Sequence, residues 1–221
     1  MINDKGNNMI PKVLKDIENY LKNYQIKIAE RINGEHRVSS LKDEETVIAA
    51  LREDEKLKPH IIDDPLRGFG DMTVLDYDMK TKYVVNIKTS IGSSDNCFSK
   101  IGFVYSLTDL EPDDLPKRMN YIVMNNLINK HKADVPQKDY YFLCVDKNDS
   151  SNVLLRGAKS ITNWKVNINA QNILQINWKK EKQSKPTIRT WDESYEVLMG
   201  GVKKSINGYI SNIPKEWINA N

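Results

Sequence analysis

The sequence predicts an α/β (α+β) domain in which helices flank a central sheet. Apolar residues recur at three-and-four spacing over residues 9–32 and again over 41–55. Two β-rich stretches, 71–76 and 82–90, are joined by the polar turn Tyr77-Asp78-Met79-Lys80, the pattern of a hairpin. The run Tyr140 to Val145 (YYFLCV) is short and wholly apolar, as expected of a buried central strand. At 221 residues, 39% of them hydrophobic, the chain suits one domain with a real core.

The elements follow in order. Ile10, Val13, Leu14, Ile17, Leu21, Tyr24 and Ile28 mark one face of a first helix. A second helix is expected from about Leu41 to Glu55, with Ser40 as N-cap, Asp43 in its first turn and Pro59 beyond its end. The hairpin comes next, then an apolar segment from Phe98 to Leu110. After the breaks at Pro112 and Pro116 a helix is expected over Lys117–Lys132. The central strand and a further strand, Val153–Arg156, lead to a last helix over Asp192–Ile210 that Gly200 and Gly201 weaken. No linker divides the chain. One domain is expected over 1–221, with 1–40 a helical candidate dimerisation region and 160–190 a candidate recognition segment.

Composition excludes several classes. No apolar run approaches the roughly 20 residues that cross a bilayer, and the polar start is unlike a secretory leader, so a soluble cytoplasmic protein is expected. Cys97 and Cys144 lack metal-ligand spacing and read as buried thiols. His36, His60 and His131 have no spaced partners. The net charge of +3 hides an asymmetry: residues 151–221 hold 11 Lys or Arg against 5 Asp or Glu, which leaves residues 1–150 net acidic. The basic half is suited to phosphates and the acidic half to a cation, although a solvated surface accounts for the balance equally well. Lysine outnumbers arginine 26 to 7 and asparagine occurs 23 times, the bias of A·T-rich bacterial codons.

The hairpin carries the chemistry. Asp71 opens one strand, and Asn86 and Lys88 lie near the end of its partner, on one face because alternate strand residues point the same way. Val85 and Ile87 then point into the core. Phosphodiester hydrolysis needs a cation to neutralise phosphate charge and lower the pKa of the attacking water, with a cationic or basic group near that water. Asp71 supplies a hard oxygen of the type magnesium prefers, Asn86 a carbonyl oxygen and Lys88 the ammonium.

The run Gly70-Asp71, followed by Val84-Val85-Asn86-Ile87-Lys88-Thr89-Ser90, resembles the signature of the PD-(D/E)xK nuclease superfamily, and within it the EcoRV/HincII-like type II restriction endonucleases. The resemblance covers roughly residues 40–180. It implies a restriction-endonuclease-like fold with a central mixed β-sheet flanked by helices, Mg2+ as cofactor, Asp71, Asn86 and Lys88 as catalytic residues, and blunt ends. Gly70 stands where the family usually has proline, and Asn86 where an acid is usual. The second departure removes a negative charge and weakens cation binding, although some members carry Asn-x-Lys.

Many members also bring a helix glutamate to the metal. Glu44 falls near the middle of the stripe Leu41, Val47, Ile48, Leu51 by 100° stepping, and Glu45 is the next choice; an acid there is equally explained by the dipole of a first turn. DNA reading is assigned to 163–177. Asn163, Asn167, Asn169, Gln171, Asn172, Gln175 and Asn177 give 7 Asn or Gln in 15 residues, where the chain average predicts about two. Such amides bond bidentately to adenine in the major groove, so an A·T-rich target is expected. Lys165, Lys179, Lys180, Lys182 and Lys185 are expected on phosphates, with Ser94 and Asn96 of the loop after the hairpin also near DNA. An Asn-rich strand and turn with a solvated lysine tail is the plain alternative.

These readings together predict a homodimeric type II restriction endonuclease acting on double-stranded DNA at a palindromic site. The alternatives are a structure-specific repair or resolvase nuclease, and a DNA-binding protein whose Asn86 marks lost catalysis.

Overall fold

Two apolar cores lie on the two faces of one five-stranded sheet, and alternation along its middle strands feeds both. The computed structural model describes residues 10–24, 26, 36–63, 69–90, 96–116, 118–167 and 174–213. The sheet holds β1 (Ile61–Asp63), β2 (Met72–Leu75), β3 (Lys82–Ser90), β5 (Tyr140–Asp146) and β6 (Val153–Gly157), in the order β1-β2-β3-β5-β6. Only β3 and β5 run parallel, in the register Val84↔Tyr140 to Ser90↔Asp146. A parallel pair needs a crossover of a dozen residues or more. Here it contains β4 (Asn96–Phe98), α3 (Lys100–Leu107) and α4 (Tyr121–His131). The central sheet is mixed and flanked by helices, as expected.

On one face Tyr83, Val85 and Ile87 of β3 join Tyr141, Leu143 and Val145 of β5. They pack beneath α1 (Lys12–Asn23) and α2 (His36–Leu51). The helix stripe Val13, Leu14, Ile17 and Leu21 is completely buried in this core, so the apolar face of α1 serves the chain itself. On the other face Val84, Tyr140, Phe142 and Cys144 pack beneath α3 and a second sheet of order β4-β8-β7, with β7 (Trp164–Val166) and β8 (Leu174–Ile176). A strand covered on both faces is apolar throughout, and β5 is buried at every residue.

The helix limits differ from the expected ones for local reasons. α2 begins at His36, so Ser40 lies inside it and Asp43 is mid-helix. It ends at Leu51, because the Asp54 carboxylate accepts the N–H groups of Lys56 and Leu57 at 2.8 and 3.0 Å and turns the chain. α1 spans less than the expected 9–32, of which 9, 25 and 27–32 lie outside the described residues. Asn120 caps α4 by accepting from the Val123 N–H, which sets its start at Tyr121.

α5 (Trp178–Glu181) and α6 (Trp191–Ser211) complete the chain. Thr190 and Glu193 form a capping box, and α6 runs unbroken through Gly200-Gly201. A β-carbon at Gly201 would lie 2.5 Å from Leu174 Cδ2, so glycine lets the helix approach β8, whereas nothing lies within 4 Å of one at Gly200. Gly200→Ala is therefore expected to stabilise by up to about 1 kcal/mol through helix propensity. Gly201→Ala should destabilise, by about 1–3 kcal/mol of overpacking. Urea melts of the two variants check this; equal midpoints would contradict the close approach.

Candidate metal centre

The register of the β2–β3 hairpin, Met72↔Val85 and Thr73↔Val84, carries Asp71 opposite Asn86. The Asp71 N–H donates to Val85 O at 3.0 Å, and the Asp71 carboxylate Oδ2 accepts the Ile87 N–H at 2.6 Å. Two backbone bonds thus fix the acid against β3. The Lys88 ammonium stands 4.0 Å from the same Oδ2, and both side chains are about a quarter exposed, so the group opens to solvent. An ion pair this open is worth little to stability, typically below about 1 kcal/mol. The Asn86 amide makes no hydrogen bond among the described residues and is half-buried on the same face.

Gly70 has its own explanation. A β-carbon there would meet Val84 Cγ1 at 2.7 Å and Val85 O at 3.2 Å, so the chain can approach β3 only without a side chain. The β-branched Val84 beneath takes the volume that proline would need.

The donor set suits a hard cation held by one carboxylate and neutral oxygens. Magnesium is commonly held through one or two carboxylates while it keeps several waters. Among the described residues no group of three or more His, Cys, Asp or Glu is placed around a metal position. Asp71, with the Asn86 carbonyl oxygen, is the pair that fits. A scan against family models and a search of curated proteins found no match for the chain.

The remaining expected residues divide. The acid in the buried stripe of α2 is Asp43, 3% exposed, while Glu44 is half-buried and Glu45 exposed. Starting the helix at His36 shifts nothing in the 100° stepping; what selects Asp43 is its partners, the Thr89 hydroxyl at 3.0 Å and the Lys147 ammonium. α2 also covers the Val85 and Ile87 face, opposite to Asn86 and Lys88.

Two of the amides expected on DNA serve the fold instead. Asn163 donates through Nδ2 to Glu181 Oε2 at 3.0 Å and to Ser184 Oγ at 2.8 Å. Asn177 caps α5 by accepting the Lys180 N–H at 3.1 Å. Lys182, expected on phosphate, pairs with Asp146 at 2.8 Å.

Lys165 and Gln175 are directly opposed on the outer face of the small sheet, where Gln175 Nε2 also donates to Cys97 Sγ at 3.3 Å. Lys179, Lys180 and Lys185 are exposed. Asn167 accepts the Ser205 hydroxyl through its backbone oxygen. Ser94, Asn169, Gln171 and Asn172 lie outside the described residues, as does the side chain of Asn96.

Sequence reasoning missed the polar groups at the carboxyl ends of β3 and β5. Asp43–Thr89–Lys147 lies on one face and Asp146–Lys182 on the other, and both tie the strand ends beside Lys88 to the flanking layers. Asp139 is another omission. Burial pushes its carboxyl up to about 6, with Lys159 and two backbone N–H groups opposing the shift. A perturbed carboxyl invites a catalytic reading, but this one lies at the opposite end of β5 and is closed off by Gly157, where a β-carbon would sit 2.3 Å from Asp139 Oδ2.

Proposed function

We propose that the chain is a type II restriction endonuclease, cutting both strands of DNA at a specific site in a Mg2+-dependent reaction. One observation carries this reading: a carboxylate, an amide without a hydrogen-bond partner among the described residues, and an ammonium project together from one face of a hairpin, open to solvent. Bound Mg2+ supplies charge neutralisation at the phosphate and acidifies a water. Asp71 and Asn86 would hold the cation, through a carboxylate and an amide carbonyl oxygen. Lys88 orients the attacking water and stabilises charge growing on the phosphate oxygens, leaving 5′-phosphate ends. The order of elements, helix, hairpin, apolar segment, helix, central strand and late strand pair, supports membership of the PD-(D/E)xK superfamily. A palindromic A·T-rich target with blunt ends, read by a homodimer, completes the proposal.

The locking of Asn163 and Asn177 into the fold favours a second reading, a nuclease that recognises DNA structure through backbone contacts. Incubation of an A·T-rich plasmid with protein and Mg2+ separates them: discrete fragments support the site-specific enzyme, and a smear the second reading. Binding without any cutting would remove the enzyme. Asn86→Asp adds back the charge usual at this position and is expected to tighten Ca2+ or Mg2+ binding roughly tenfold in calorimetry, on the order of one charge-assisted contact. Unchanged metal dependence would exclude Asn86 as a ligand.

A further inference from the structure

At the end of the sheet away from Lys88, a cavity of about 290 Å³ opens between the β2–β3 turn and the loop before β5. Lys80, Lys82 and Lys138 line it, with Glu111 the one acid among the lining residues. Lys138 is nine-tenths buried, and its ammonium donates to Leu110 O at 2.5 Å and Glu111 Oε1 at 3.2 Å, which leaves its third proton for another acceptor. The same ammonium lies 4.5 Å from the centre of the Tyr105 ring.

Tyr105 is 2% exposed and also lines the cavity, yet its hydroxyl makes no hydrogen bond among the described residues. The hydroxyl is therefore open to the cavity, where it can donate to an acceptor. Burial pushes the Tyr105 hydroxyl well above its usual range, so it stays a neutral donor.

We infer that this cavity binds a small phosphorylated molecule, with its phosphate between the Tyr105 hydroxyl and the lysine ammoniums. Lys138 is neutralised by Glu111, and the two remaining lining cations, Lys80 and Lys82, with no second acid among the lining residues, select an anion. The volume falls just below the roughly 300–1,000 Å³ of pockets that enclose drug-sized ligands, which leaves room for a phosphate and a small organic body of sugar size. Pro136 offers that body an apolar wall. The inference is independent of the nuclease reading.

Ribose 5-phosphate, with ribose and inorganic phosphate as comparisons, is titrated calorimetrically into the full chain and into Tyr105→Phe and Lys82→Met. Saturable binding of ribose 5-phosphate is expected. Tyr105→Phe removes one hydrogen bond to a charged group and should weaken it roughly tenfold. The same variant should melt no lower than the parent, because the hydroxyl it removes faces the cavity and has no hydrogen-bond partner among the described residues. Lys82→Met, on an exposed strand position, should also weaken binding.

Absence of saturation at millimolar ligand overturns the proposal, as does Tyr105→Phe binding like the parent. Ribose binding equal to ribose 5-phosphate overturns the phosphate assignment. So does a loss of affinity, in both variants, for a DNA duplex but not for the sugar phosphate.

Discussion

Lys88→Ala is expected to abolish Mg2+-dependent DNA cleavage, by about a thousandfold, while DNA binding in Ca2+ persists. The size follows from position. The ammonium is on the same strand face as Asn86, 4.0 Å from the Asp71 carboxylate, and in the proposed reaction its charge would act chiefly on the negative charge that develops in the transition state. Binding in the ground state draws on many phosphate contacts and loses little from one. Folding should survive, because the side chain is partly exposed and its ion pair with Asp71 is screened by solvent. Gel-shift assays in Ca2+ and single-turnover cleavage in Mg2+ separate the two effects. Cleavage within a few-fold of the parent would remove Lys88 from the reaction.

Asp71→Asn should cost the reaction at least as much, through a different quantity. The substitution keeps an oxygen to accept the Ile87 N–H, so the hairpin is preserved, and removes the negative charge that holds the cation. Metal affinity is the direct readout. Calorimetric titration with Mg2+ or Ca2+ should lose its binding isotherm, with cleavage about a thousandfold down and unfolding shifted by no more than about 1 kcal/mol. Wild-type metal binding in this variant would place the cation elsewhere. Loss of metal binding accompanied by a large fall in stability would mean that the carboxylate is chiefly a backbone clamp for β3.

The parts legible in the sequence are those set by local periodicity. Alternation over Lys82–Ser90 placed Asn86 and Lys88 together, and the unbroken run at Tyr140 marked a strand covered on both faces. What stayed hidden depends on partners distant in sequence. Asp43 reads as a first-turn acid until Thr89 and Lys147 are folded onto it. Asn163 and Asn177 belong to a conspicuous amide cluster, yet Glu181 and the start of α5 claim them, and composition carries no trace of that. β4 is only three residues long and pairs with β8 far along the chain, so no window of sequence reveals the second sheet. In the sequence Tyr105 is one of three closely spaced hydroxyls, with Ser106 and Thr108. Ser106 and Thr108 do bond to backbone oxygens of their own helix, and Tyr105 alone of the three is left facing a cavity.

The parallel pairing of β3 with β5 has a temporal consequence. The hairpin carrying Asp71, Asn86 and Lys88 closes from near neighbours, but the far side of β3 stays unpaired until Tyr140–Asp146 arrives from beyond the crossover. During synthesis the three polar groups therefore emerge early on a strand with a bare edge and no second core beneath Val84. The hairpin thus gains its full support only when the crossover and β5 have been made and both faces of the sheet can be covered.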